Sequence, residues 1–433
     1  MDFCVSPGGQ IAGHCRVPGD KSISHRAVML AALAEGESRF SGFLAGADTL
    51  ATAAAFRAMG VRIDGPDEGR VTVQGVGLHG LRAPAGPLDM GNAGTGMRLL
   101  AGLLAGQRFG VTLIGDESLS RRPMRRVIVP LRQMGAHITA AEGDTPPLVL
   151  GPAAQLRGID YALPMASAQV KSCLLLAGLY ARGRTCVTEP APTRDHTERM
   201  LTAFGRPLQR DGARVCIDGG DTLLRATSFA IPGDISSAAF PLVAALIAGQ
   251  GELLIENVGI NPTRTGILDI LRAMGADIAL LNPRDAGAEP VADIRVRASR
   301  LRGIAVPTEL VPLAIDEFPA IAVAAACAQG ETLITGAQEL RVKESDRIAA
   351  IANGLTALGI AVETLPDGLR IQGGQFHGGV VESHGDHRIA MAFSLAALRA
   401  ERSVRIRDCV NVGTSFPGYV ELMRGLGLSI EAA

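Results

Sequence analysis

The chain has no surplus of charge of either sign: 42 Lys and Arg stand against 43 Asp and Glu, a formal net charge of −1. The broad basic field that nucleic-acid binding needs is therefore missing, and any recognition of anions has to be local. No apolar run reaches the roughly 18 residues of a membrane span, so no membrane partner is expected. The opening residues, Met1-Asp2-Phe3-Cys4-Val5-Ser6-Pro7-Gly8-Gly9, lack the basic-then-apolar order of a secretory leader, and the expected location is the cytoplasm. The seven cysteines are odd in number and contain no C-x-x-C. Most lie in apolar or strand-like runs, such as Cys173 before Leu174-Leu175-Leu176 and Cys327 after Ala324-Ala325-Ala326, and the expectation is reduced core thiols, neither catalytic nor metal-bound. No metal-ligand spacing is present.

What is present is apolar. Hydrophobic residues make up 47% of the chain and charged residues 20%, which excludes disorder, and 433 residues are too many for one ordinary core. One pattern returns six times, beginning near Ser24, Gly96, Ser167, Ser236, Phe318 and Arg388: a small-residue apolar helix, a break, and a β-branched strand. The helices, Val28 to Leu33, Leu99 to Ala105, Leu174 to Leu179, Ala239 to Ile247, Ile321 to Ala328 and Met391 to Leu398, are apolar nearly all round and so should be buried. Between them run amphipathic helices that each end on Gly: Thr49 to Gly60, Arg126 to Gly135, Thr197 to Gly205, Thr265 to Gly275, Arg347 to Gly359 and Tyr419 to Gly427. Six copies about 70 residues apart form an internal repeat of βαβ-type units, predicted to gather as two groups of three. Val17-Pro18-Gly19-Asp20 and Ile231-Pro232-Gly233-Asp234 echo each other and read as two crossings between the same two lobes. One lobe would hold residues 1–19 and 233–433 and the other 20–232, with hinges near 18–20 and 232–234.

Charged clusters stand where these helices begin. In Pro18-Gly19-Asp20-Lys21-Ser22-Ile23-Ser24-His25-Arg26, two cations and two hydroxyls follow a turn, which suits a phosphate or carboxylate at a helix start, with Ser22 and Ser24 as candidate caps. Gly91-Asn92-Ala93-Gly94-Thr95-Gly96-Met97-Arg98 would let a ligand reach bare backbone. Leu119-Ser120-Arg121-Arg122-Pro123-Met124-Arg125-Arg126 crowds four arginines at a helix start, where the dipole disfavours unpaired cations. Arg341-Val342-Lys343-Glu344-Ser345-Asp346-Arg347 and Asp386-His387-Arg388 are similar clusters later in the chain. Asp316 and Glu344 are candidate proton-transfer groups, though locally Asp316 is equally an N-cap and Glu344 equally half of an intrahelical ion pair.

These motifs, from Pro18 to Tyr419, resemble in order and spacing the 5-enolpyruvylshikimate-3-phosphate (EPSP) synthase family. The resemblance implies an α/β fold of two lobes, each of three repeated βαβ-type units with buried parallel helices. It implies enolpyruvyl transfer from phosphoenolpyruvate to the 5-hydroxyl of shikimate 3-phosphate, with no cofactor and no metal. Shikimate 3-phosphate would contact Lys21, Ser22, Arg26, Ser167, Gln169, Arg194, Asp316 and Lys343, and phosphoenolpyruvate Lys21, Gly94, Arg122, Gln169, Arg347 and Arg388. Asp316, Glu344 and Lys21 would carry the proton transfers. A monomer is expected, with lobes that close on the ligand, and glyphosate would compete with phosphoenolpyruvate beside Gly94, which has no Cβ. Ala168, Glu339 and Thr414 depart from the commonest pattern and, with Arg194, look like the family's second sequence class; Thr414 replaces a Lys and puts one phosphate contact in doubt. The related UDP-N-acetylglucosamine enolpyruvyl transferases have a reactive Cys before the Arg-Pro motif, and Gly115-Asp116-Glu117-Ser118-Leu119-Ser120 has none. An inert anion-binding repeat protein is the other alternative.

Overall fold

A computed structural model describes residues 1–153, 155–220 and 223–433. The chain divides into two compact units, one of Met1–Pro18, Pro232–Asp285 and Pro290–Ala433, the other of Gly19–Ile231 with Ala286–Glu289. The second unit carries helices α1 (Lys21–Leu33), α2 (Ala47–Ala58), α3 (Gly94–Leu104), α4 (Arg125–Gln133), α5 (Ala168–Gly178) and α6 (His196–Ala203). The first carries α7 (Ile235–Ile247), α8 (Gly266–Ala273), α9 (Phe318–Ala326), α10 (Arg347–Ala357), α11 (His387–Ala396) and α12 (Tyr419–Gly425).

Odd-numbered helices are the buried ones. Every residue of α7 and of α9 is buried, as small apolar side chains on all faces require. Each such helix leads into a strand of its own small sheet, whose outer part is an antiparallel pair; among the described residues six sheets of three to five strands result. Two of the units borrow a strand. Gly13–Cys15, which precedes α1 in the sequence, pairs in parallel with Glu252–Gly259 after α7. Ser228–Ala230, which precedes α7, pairs in parallel with Ala34–Ser41 after α1. The strand Phe3–Gly9 likewise joins the sheet that follows α11 and α12.

The amphipathic helices end alike. Gly60, Gly135, Gly205, Gly275, Gly359 and Gly427 all take positive φ, between 82° and 109°. This left-handed turn sends the next residue's N–H back into the last helical turn, as in Val61 N to Phe56 O and Ile360 N to Leu355 O, both within 3.0 Å. A second device recurs: Arg57, Arg132, Arg272 and Arg424 each reach the carbonyl of the isoleucine six residues on, Ile63, Ile138, Ile278 and Ile430, and so tie the helix end to the following strand.

Two expectations need correction. The cap of α1 is Asp20, which accepts from the Ile23 N–H at 2.9 Å; a carboxylate serves the helix start and leaves the Ser22 hydroxyl out of that role. Ser24 instead turns to accept the Leu44 N–H. Nor are all cysteines reduced: Cys186 and Cys216 form a disulfide. They stand directly opposite in the antiparallel pair Arg184–Thr188 and Arg214–Asp218, a register that a residue-by-residue view of the chain does not reveal. Cys4, Cys15, Cys173, Cys327 and Cys409 are free, and burial pushes the thiols of Cys15, Cys327 and Cys409 up to about 12, which keeps them protonated.

Helices α3 and α5 pack with almost nothing between their backbones. A Cβ built on Gly102 would fall 2.1 Å from the Cys173 carbonyl oxygen, and backbone cannot step aside as a side-chain end can. Gly102→Ala should therefore cost about 1–3 kcal/mol. Gly86→Ala, where nothing lies within 4 Å, should leave unfolding in urea unchanged; equal midpoints for the two variants would contradict this packing.

Candidate functional site

In the second unit the predicted residues gather at the N-terminal ends of α1, α3 and α5. Lys21 opens α1, and its ammonium is 3.0 Å from the Asp48 carboxylate of α2. Arg26, one turn on, is buried and donates to Thr197 Oγ1 at 2.7 Å, Ser172 Oγ at 2.8 Å and the Ser22 carbonyl at 2.9 Å. Burial lowers the Arg26 pKa to about 10, and the nearby positive charge of Arg194 works in the same direction while Glu198 opposes it. Arg26 and Arg194 repel one another, a repulsion that an anion would offset.

Gly94 begins α3 between two guanidinium groups. A Cβ there would meet Arg122 Nη1 at 3.1 Å and Arg98 Nη1 at 3.3 Å. Arg122 is aimed by Asn92 Oδ1 at 2.6 Å and Ser118 Oγ at 3.0 Å. Ser167 caps α5, and both ends of the Gln169 amide are tied to α3: its oxygen accepts from Arg98 at 2.8 Å and its nitrogen donates to Thr95 at 2.9 Å. Arg98 was not singled out as a site residue. Its place in the Gly94-Thr95-Gly96-Met97-Arg98 run, one turn into the helix, was the available signal.

The first unit holds a cluster built on Arg347, which opens α10 and is wholly buried. Its Nε is 2.8 Å from Asp386 Oδ2, one Nη 3.3 Å from Asp316 Oδ1, and the other Nη 2.6 Å from Glu344 Oε2. Burial alone would favour loss of its proton, but the Asp386, Glu344 and Asp316 charges outweigh burial and raise its pKa. Asp386 is held below the usual carboxylate range against its own burial, because Arg347 faces it. Lys343 adds a second cation 3.3 Å from Asp316, and Arg388 donates to the Asp316 carbonyl at 3.1 Å. Asp316 is thus not the N-cap of α9, a place taken by Glu317. The Glu344–Arg347 pair forms, but Glu344 lies before α10 and Arg347 is its first residue, so the pair is not intrahelical. Asp386 is the residue whose part had been missed, since it both caps α11 and anchors Arg347.

Each unit by itself holds carboxylates at fixed distances from cations, an arrangement suited to binding anions and moving protons beside them. Among the described residues no group of three or more His, Cys, Asp or Glu is placed to hold a metal ion, and no helix is long and apolar enough to cross a membrane.

The sequence profile of EPSP synthase (3-phosphoshikimate 1-carboxyvinyltransferase) matches residues 5–423. The chain belongs to the EPSP synthase family. A 3-phosphoshikimate 1-carboxyvinyltransferase of Alkalilimnicola ehrlichii is 67% identical over 99% of this chain and 96% of its own length, and one of Methylococcus capsulatus is 64% identical over 100% and 98%. The solved EPSP synthase of Acinetobacter baumannii superposes with a TM-score of 0.90 at 53% identity, covering 99% of both chains. Thr414 donates its hydroxyl to the Asn411 carbonyl at 2.7 Å.

Beside Lys21, His25 is fully buried, with Nδ1 2.8 Å from Thr52 Oγ1 and, among the described residues, no hydrogen-bond partner for Nε2. Burial lowers its pKa from the ordinary 6.5 to about 3, so the fold keeps the ring neutral where the unfolded chain protonates it. This contribution to stability is complete above pH 6.5 and is lost progressively as the pH falls toward 3, by roughly 2 kcal/mol at pH 5. Urea unfolding at pH 7 and pH 5 should show that difference, and His25→Gln should shrink it. An unchanged difference in the variant would remove His25 from the account.

Proposed function

We propose that this chain transfers the enolpyruvyl group of phosphoenolpyruvate to the 5-hydroxyl of shikimate 3-phosphate and releases phosphate, a step of the shikimate pathway to chorismate. Family membership supports the reaction, and the Asp316–Lys343–Glu344–Arg347 cluster is the single observation that best supports the chemistry. The substrates carry several negative charges each, and cations offset the repulsion between them. Lys21, Ser22, Arg26, Ser167, Gln169 and Arg194, with Asp316 and Lys343, take shikimate 3-phosphate. Lys21, Gly94, Arg122, Gln169, Arg347 and Arg388 take phosphoenolpyruvate, and the bare backbone at Gly94 leaves room for glyphosate as a competitor.

The 5-hydroxyl oxygen bonds to C2 of phosphoenolpyruvate while a proton is added to C3, giving a tetrahedral intermediate. The C2–O bond to phosphate then breaks as a proton leaves C3, and the alkene is restored. Asp316 takes or orients the hydroxyl proton, and Glu344 with Lys21 delivers and removes the proton at C3. What the addition and the elimination ask of the protein is proton transfer and charge stabilisation, which these side chains supply without a cofactor or metal. The protein acts as a cytoplasmic monomer, and Gly19 and Gly233 lie at the hinges between its lobes.

Asp316→Ala and Glu344→Gln should each lower turnover about 10²- to 10⁴-fold, the usual loss for a positioned acid or base. Binding of shikimate 3-phosphate, followed by calorimetry, should persist in Glu344→Gln. Turnover close to that of the unaltered protein in either variant would end that residue's assignment.

A further inference from the structure

Lys171 lies at the end of the first turn of α5 between Val170 and Ser172, and its side chain is 0% exposed. Its ammonium is 3.0 Å from Glu189 Oε2 and 2.7 Å from Glu198 Oε1. Glu198 accepts no hydrogen bond among the described residues, so nearby positive charge is its compensation. Glu189 uses its other oxygen to accept the Thr193 hydroxyl, and the Lys171 ammonium also approaches the Thr193 carbonyl at 3.5 Å. Thr193 is the residue before Arg194. The next residue of α5, Ser172, accepts from Arg26 and from Thr197, while Thr197 also accepts from Arg26. Two adjacent residues of α5 therefore grip both the segment that carries Arg194 and the guanidinium of Arg26.

We infer that Lys171, with Glu189 and Thr193, positions Arg194 beside Arg26 for the phosphate of shikimate 3-phosphate; this rests on the proposed reading of those two arginines. A buried ion group is not needed for stability as such, since apolar residues of similar volume often serve as well. What it supplies here is direction. Lys171 holds Glu189, Glu189 holds the Thr193 hydroxyl, and the residue after Thr193 is fixed against the repulsion of the Arg26 charge. Lys171 touches neither substrate in this account and is a positioning residue.

Lys171→Met and Thr193→Val test it, the second because it cuts the tether while leaving the Lys171–Glu189 pair intact. Both should raise KM for shikimate 3-phosphate about 10-fold or more while kcat and KM for phosphoenolpyruvate stay within about 2-fold, the pattern for loss of an interaction made equally in ground and transition states. A merely structural role would instead reduce the folded, active fraction and so lower kcat with both KM values unchanged, and that result overturns the inference. If Lys171→Met fails to fold, Thr193→Val decides alone, and an unchanged KM for shikimate 3-phosphate there overturns it. Failure of the unaltered protein to release phosphate from the two substrates would instead count against the proposed reaction, and is seen before either variant is made.

Discussion

Cations gathered for anionic ligands have to be compensated while no ligand is bound, and in this protein its own carboxylates do so. A guanidinium as deeply buried as Arg347 is tenable only because Asp386, Asp316 and Glu344 surround it. Lys21 is matched by Asp48, and Lys343 by Asp316. The same requirement explains why the candidate acids lie where they do: Asp316 and Glu344 are counter-ions of the cations beside which they would move protons. Removing either therefore changes a charge balance as well as a proton path.

The repeat provides the places for these charges. Buried helices made largely of Ala, Leu and Gly need no polar face, and their charged or anion-facing residues stand toward their N-terminal ends, where α1, α3, α5 and α11 carry Lys21, Gly94, Ser167 with Gln169, and Arg388. N–H groups left unpaired at such ends favour anions as well. The absence of a Cβ at Gly102 brings α3 and α5 close enough for Gln169 to bridge to Thr95 and Arg98, so a packing requirement becomes a feature of the site.

Local pattern made the six buried helices, the six amphipathic ones and their closing glycines legible, because period and cap chemistry are properties of neighbouring residues. The motifs also marked nearly every charged residue of the two clusters. Partnerships across repeats stayed hidden. That Asp386 would anchor Arg347 from 39 positions away, or that Cys186 would face Cys216, depends on sheet register and on which helix ends meet. Lys171 offered a signal that was passed over: a lysine inside Val170-Lys171-Ser172-Cys173-Leu174 must find buried counter-charges or leave the core. Ser22 was a plausible cap only until Asp20, two residues earlier, proved better placed.

The central claim is that these charges serve enolpyruvyl transfer to shikimate 3-phosphate, and phosphate release measures that most directly. Purified protein given phosphoenolpyruvate and shikimate 3-phosphate should release one phosphate per enolpyruvyl group transferred, and none above background with phosphoenolpyruvate alone or with UDP-N-acetylglucosamine in place of the shikimate ester. Folded protein that releases no phosphate with both substrates at saturation, or that releases it only with the nucleotide sugar, would contradict the account.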